Sequence, residues 1–95
     1  MKVVWTDTAV RHLRAIHDYI AEDSETYARI VVDRITDRSR QLASHPHSGR
    51  RVPEYDATDV REVIEPPYRV IYRVAEDRVD VLGVIHSARQ FFRRR

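Results

Sequence analysis

Cysteine is absent from the 95 residues, which excludes disulfides and thiolate metal sites and leaves sulfur silent about the redox compartment. Glycine occurs only twice, and from about residue 7 to 45 there is neither glycine nor proline, so nothing interrupts long helices. No apolar run approaches membrane-spanning length, and Met1-Lys2 leads into a strand-like VVW with no signal-peptide pattern. A cytoplasmic protein without membrane contact is expected. Charge of one sign is also scarce, since the net value is +2, too little by itself to argue for nucleic-acid binding. Nor is hydrophobicity low: apolar residues are 42% and charged ones 34%, which excludes the signature of disorder. No internal repeat, low-complexity segment or linker is seen. One domain spanning residues 1–95 is the expectation.

What is present changes period along the chain. KVVWT is a β-branched and aromatic run ending at Thr6-Asp7, a strand followed by a helix start. Val10, Leu13, Ile16 and Ile20 then recur at helical spacing, with Arg11, Arg14 and Asp18 left for solvent. Ser24 is a candidate N-cap, and Ala28, Val31, Ile35 and Leu42 continue the period through a second helix. The short connection makes these helices an antiparallel hairpin. It must end near SHPHSG, where Pro46 and Gly49 stand, and RRVPEYDATD reads as an irregular polar loop. Beyond it the period becomes two. VREVIE, YRVIYRV and RVDVLGVIH are three successive strands joined by Pro66-Pro67 and Glu76-Asp77. The predicted class is α+β: an N-terminal strand, an antiparallel helical hairpin packed on one face of a mainly antiparallel sheet, a three-strand meander, and a short basic C-terminal tail.

Taking Glu76-Asp77 as a two-residue hairpin loop fixes a register in which Arg73 opposes Asp80, Tyr72 opposes Val81 and Arg69 opposes Val84. Side-chain alternation then puts Tyr68, Val70, Tyr72, Val74, Val79, Val81, Gly83 and Ile85 against the helices. The other face carries Arg69, Ile71, Arg73, Asp80, Leu82, Val84 and His86. Arg73 and Asp80 would form a cross-strand ion pair, while His86 would be the diagonal neighbour of Arg69, with Arg89 just beyond. Two readings stay open for Arg69: part of a small basic patch on an open sheet, or a partner of Glu62 or Glu65 on the preceding strand. A slip of one residue would reverse every side chain.

The ordered set of a Trp-containing strand, a helical hairpin with YIA, then HPHSGRRVPE, VREVI, PYRVIYRV and VIHSAR resembles the ParE/RelE superfamily of bacterial toxin–antitoxin toxins over nearly the whole chain. The resemblance implies a compact toxin held inactive by a cognate, ParD-like antitoxin whose other end binds DNA. ParE-like members bind DNA gyrase, so DNA would be met only through the antitoxin or the gyrase complex. RelE-like members are ribosome-dependent ribonucleases. Metal-free RNA cleavage needs a base, cations for the phosphate and an acid. In similarity to that branch Arg69 matches the arginine of the YR strand, and Arg89 is placed like the C-terminal arginine; Glu54 stands where a related subgroup carries a glutamate. The tyrosine that should follow near the C-terminus is missing, the strand before Arg69 offers Glu62 and Glu65 with only Arg61 basic, and His86 alone is left to move protons. HPHSGR and VIHSAR look more like the ParE branch. The expected function is therefore a gyrase inhibitor acting by binding, with a ribonuclease using Arg69, His86 and Arg89 as the alternative, and a degenerate member acting only as co-repressor as a third.

Binding candidates are Arg61, Arg69, His86, Arg89, Glu54 and Tyr55. Tyr55, in the polar loop, is either a partner contact or a cover for the core edge. The basic tail HSARQFFRRR either faces an anionic partner or is a solvated end. His45 and His47 alternate as chelating histidines do, but without cysteine and with only Glu54 or Asp56 nearby the metal signal is weak, and neither metal nor cofactor is expected. His17 is placed at the edge of the apolar face of the first helix and His12 on the polar side, neither suggesting chemistry. Trp5 reads as core. The groove of the helical hairpin and a sheet edge are where the resemblance implies the antitoxin would lie.

Overall fold

The computed structural model describes residues 1–56 and 59–87. Strand β1 (Lys2–Trp5) leads into helices α1 (Asp7–Ala21) and α2 (Glu25–Arg40), a 3₁₀ turn at Gln41–Ala43, and strands β2 (Arg50–Arg51), β3 (Val60–Glu65), β4 (Tyr68–Val74) and β5 (Arg78–His86). The helices begin where their caps stand. Thr6 accepts a hydrogen bond from the Ala9 N–H and Ser24 one from the Tyr27 N–H, each satisfying a donor that the first turn leaves open. The fold is α+β, with the sheet order β1-β5-β4-β3-β2. β1 pairs with β5 in parallel, whereas β2 to β5 form an antiparallel meander extended by one short edge strand.

Both helices lie on one face of the sheet. Ala9, Val31, Ile35 and Leu42 meet Val63, Val70, Tyr72, Val79, Val81 and Val84 in the main core, with Trp5 half-buried at its margin. Each aliphatic side chain removed from water there contributes about 1.5–3 kcal/mol. The second face is not open as the alternation suggested. The segment after β2 folds back over it, and Val52 and Tyr55 pack on Val60, Ile71, Leu82 and Ile85 in a smaller second core. Tyr55 thus covers the edge of a core.

The expected register holds at Val74–Val79, Arg73–Asp80 and Tyr72–Val81, then shifts. Ile71 opposes Gly83, leaving Leu82 as an extra residue, a β-bulge that inverts the facing of the rest of β5. Arg69 is therefore opposite Ile85 instead of Val84. Val84 turns into the main core and Ile85 into the second one, the reverse of the expectation. Elements on the helical side hold the bulge. The Thr6 hydroxyl donates to the Val81 carbonyl at 2.9 Å, and the Val84 N–H donates to Nδ1 of His12 at 3.2 Å. His12 is not a bystander on a polar helix face; it reaches the sheet.

Candidate functional site

Arg69 sits in the middle of β4, facing the second core, and its side chain is 7% exposed. Its guanidinium is fully engaged. Nη1 and Nη2 donate to the two carboxylate oxygens of Glu54 at 2.8 and 2.7 Å, a fork-on-fork pair, while Nε donates to Oε1 of Glu62 at 2.7 Å. Glu62, with no side-chain exposure, uses its other oxygen to accept from Nε of Arg50 at 2.6 Å. Two carboxylates and two guanidiniums balance. The Glu54 hydrogen bonds are the main reason that the Arg69 pKa is raised further, burial opposing them. Of the two sequence readings for Arg69 the ion pair is the one formed, with Glu62 rather than Glu65, and with Glu54 added from a loop fifteen residues upstream.

The bulge separates His86 from Arg69. His86 opposes Tyr68, and their rings meet edge-on with centroids 6.2 Å apart, so His86 lies on the helix side of the sheet. The expected diagonal contact with Arg69 is corrected accordingly. Arg73 and Asp80 are in register but do not pair with one another. Arg73 pairs with Asp59 at 3.4 Å, and Asp80 accepts from Arg78 at 2.8 Å. Along α2 Asp37 pairs with Arg40. Arg89 and the rest of the basic tail, residues 88–95, lie outside the described residues.

Arg61 faces the helix side, opposite Tyr72. Gly49 makes the close approach that this corner requires: a Cβ on it would sit 2.4 Å from the Glu62 carbonyl oxygen and 2.6 Å from the Tyr72 hydroxyl. Its N–H donates to that buried hydroxyl at 2.9 Å, and its carbonyl accepts from Nη1 of Arg61 at 2.8 Å. Burial pushes the Tyr72 phenol up, against the opposing pull of the Gly49 N–H, the Arg61 charge, the Ser48 hydroxyl and the Arg38 charge. Sequence reasoning missed Tyr72, Gly49 and Arg38 as one group, since they come from three separated segments.

A second surface is apolar. α1 and α2 leave a groove lined by Val10, Leu13, Arg14, His17, Asp18 and Val32, with Val10 and Ile30 exposed on the hairpin. His17 bridges the helices, Nδ1 contacting Asp18 at 3.0 Å and Nε2 contacting Glu25 at 3.3 Å. These contacts, the Asp18 hydrogen bond foremost, raise its pKa. Among the described residues no group of three or more His, Asp or Glu side chains is placed to hold a metal, and no helix is long and apolar enough to cross a membrane.

Residues 3–91 match the family described as the ParE toxin of type II toxin–antitoxin systems, parDE. The chain is 36% identical to the toxin RelE2 of Caulobacter vibrioides over 88 residues, covering 93% of this chain and 97% of that one. Among solved structures it resembles a chain of the chromosomal ParDE system of P. aeruginosa, with a TM-score of 0.76 and 25% identity over 90% of this chain and 95% of that one. A chain of the RelBE2 toxin–antitoxin complex of Mycobacterium tuberculosis shares the fold at a TM-score of 0.65, with 20% identity and the same coverage.

Proposed function

Since the chain belongs to the ParE toxin family of type II toxin–antitoxin systems, we propose that it acts by binding DNA gyrase and is neutralised by a cognate, DNA-binding antitoxin. The observation that carries this reading is the state of Arg69. A guanidinium locked between two buried carboxylates has no net charge to offer a phosphate in a transition state, because the cation that electrostatic catalysis needs is already spent. His86, the proton carrier that a ribonuclease would need, lies on the opposite face. Binding requires neither. The apolar groove between α1 and α2 suits a partner helix, which supports placing the antitoxin there.

A RelE-like ribonuclease is the second reading, favoured by the name of the Caulobacter relative. Tight induction in two strains separates the readings, one with normal and one with toxin-resistant gyrase. Broken DNA with intact transcripts in the first strain, and growth in the second, is the expected result. Messages cut within codons, with intact DNA and toxicity in both strains, would overturn the gyrase reading.

A further inference from the structure

β2 and β3 set Arg51 directly opposite Arg61. Cross-strand partners leave an antiparallel ribbon on the same face, here the helix side, and like charges so placed are unfavourable. Among the described residues neither arginine forms an ion pair. Arg61 adds a second anomaly. Its Nη1 is fixed on the Gly49 carbonyl, yet its buried Nε has no partner among the described residues. A buried donor left unsatisfied is unfavourable. An unsatisfied buried donor beside a like-charge pair is the kind of departure that collects at functional sites.

We propose that Arg51 and Arg61 form a phosphate-binding site at the β2 edge of the sheet, taking phosphodiesters of a nucleic-acid backbone. Guanidinium forks suit phosphate oxygens, and an anion between Arg51 and Arg61 would turn their repulsion into attraction. The form of the site favours a polymer over a free ion. It is an exposed edge, where Arg50 and Arg51 follow one another and both lie open to solvent, not an enclosed cup. A contact made to phosphate oxygens positions a backbone without selecting a sequence. This direct contact is separate from the gyrase reading, which needs none.

Fluorescence anisotropy of the full chain against a labelled DNA duplex tests the site, with inorganic phosphate as a second probe. Arg51→Ala, which removes an exposed side chain with no ion pair among the described residues, should weaken binding several-fold for every duplex sequence. It should also flatten the plot of log affinity against log salt by about 1. Arg61→Lys should lose less than Arg61→Gln, and Arg29→Ala, on the exposed face of α2, should change nothing. Equal losses in Arg29→Ala and Arg51→Ala, or a loss produced only by removing Arg93–Arg95, would overturn the site. Phosphate that raises the melting temperature of the wild type, without any duplex binding, would overturn the polymer as its ligand.

Discussion

Glu62 is the residue on which the second face depends. Completely buried, it holds Arg69 with one oxygen and Arg50 with the other, and the two bonds differ in worth. The Arg50 side chain is 68% exposed, so water competes for it and the bond adds little. Arg69 has no such recourse. Glu62→Ala should therefore cost about 3–5 kcal/mol, the penalty for leaving a buried charge without one of its partners. For a domain of this size that is a large share of the total stability. The check is a urea titration, in which the midpoint should fall at unchanged slope; a midpoint within error of the wild type would mean that Glu54 alone satisfies Arg69. Gly49 is constrained differently. Alanine there drives a methyl group into the Glu62 carbonyl, and because the obstacle is backbone it cannot swing aside. Gly49→Ala should destabilise by more than 1 kcal/mol, on the order of a strained core substitution, and should loosen the Gly49–Tyr72 hydrogen bond.

Among the elements, β5 shows how one residue redirects a face. The bulge at Leu82 is held from the helical side by Thr6 and His12, so α1 sets the facing of Ile85 and His86 as much as the strand does. His12→Ala should cost about 1–3 kcal/mol by leaving the Val84 N–H without an acceptor. Faster hydrogen exchange at that amide is the specific readout, and unchanged exchange would remove His12 from this role. The helices, their caps and strands β3, β4 and β5 were legible, because a change of period from 3.6 to two is a strong signal. The bulge was not read, since alternation was carried through residues 81–86 unbroken; Gly83 inside a strand was the available warning. β2 has two residues and no period to detect. The Arg69–Glu62 pair could be anticipated from adjoining strands, whereas Glu54 arrives through a loop whose path no spacing predicts.

Helix pairing also carries a pH dependence. The His17 pKa is raised above its ordinary 6.5 by Asp18 and Glu25, so the protonated ring favours the folded state. That contribution is full below pH 6.5 and is lost as the pH rises through the higher folded-state value. Comparing wild type with His17→Gln across this range, the wild type should lose its advantage on the alkaline side. A difference that stays constant with pH would show that the histidine is not coupled to folding.

At the scale of the molecule, the two faces divide the labour. The helix side carries the groove, the main core and the Arg61–Tyr72 corner, while the far side is closed by the Val52–Asp56 strap and its ion pairs. If the Glu54–Arg69–Glu62 group is scaffold, its charges can be exchanged for shape. Replacing a whole buried ionic group by apolar residues of similar volume is often neutral or stabilising by about 1–4 kcal/mol, in contrast to removing a single member. The triple variant Glu54→Leu, Glu62→Met, Arg69→Met should accordingly fold at least as well as Glu62→Ala folds badly. It should also retain growth inhibition on induction, because a toxin that works by binding through its helix side does not use these charges. A ribonuclease that draws on Arg69 would make the opposite pairing: a folded triple variant by circular dichroism with growth inhibition abolished. Measuring stability and toxicity in the same variant thus separates the arginine as scaffold from the arginine as catalyst.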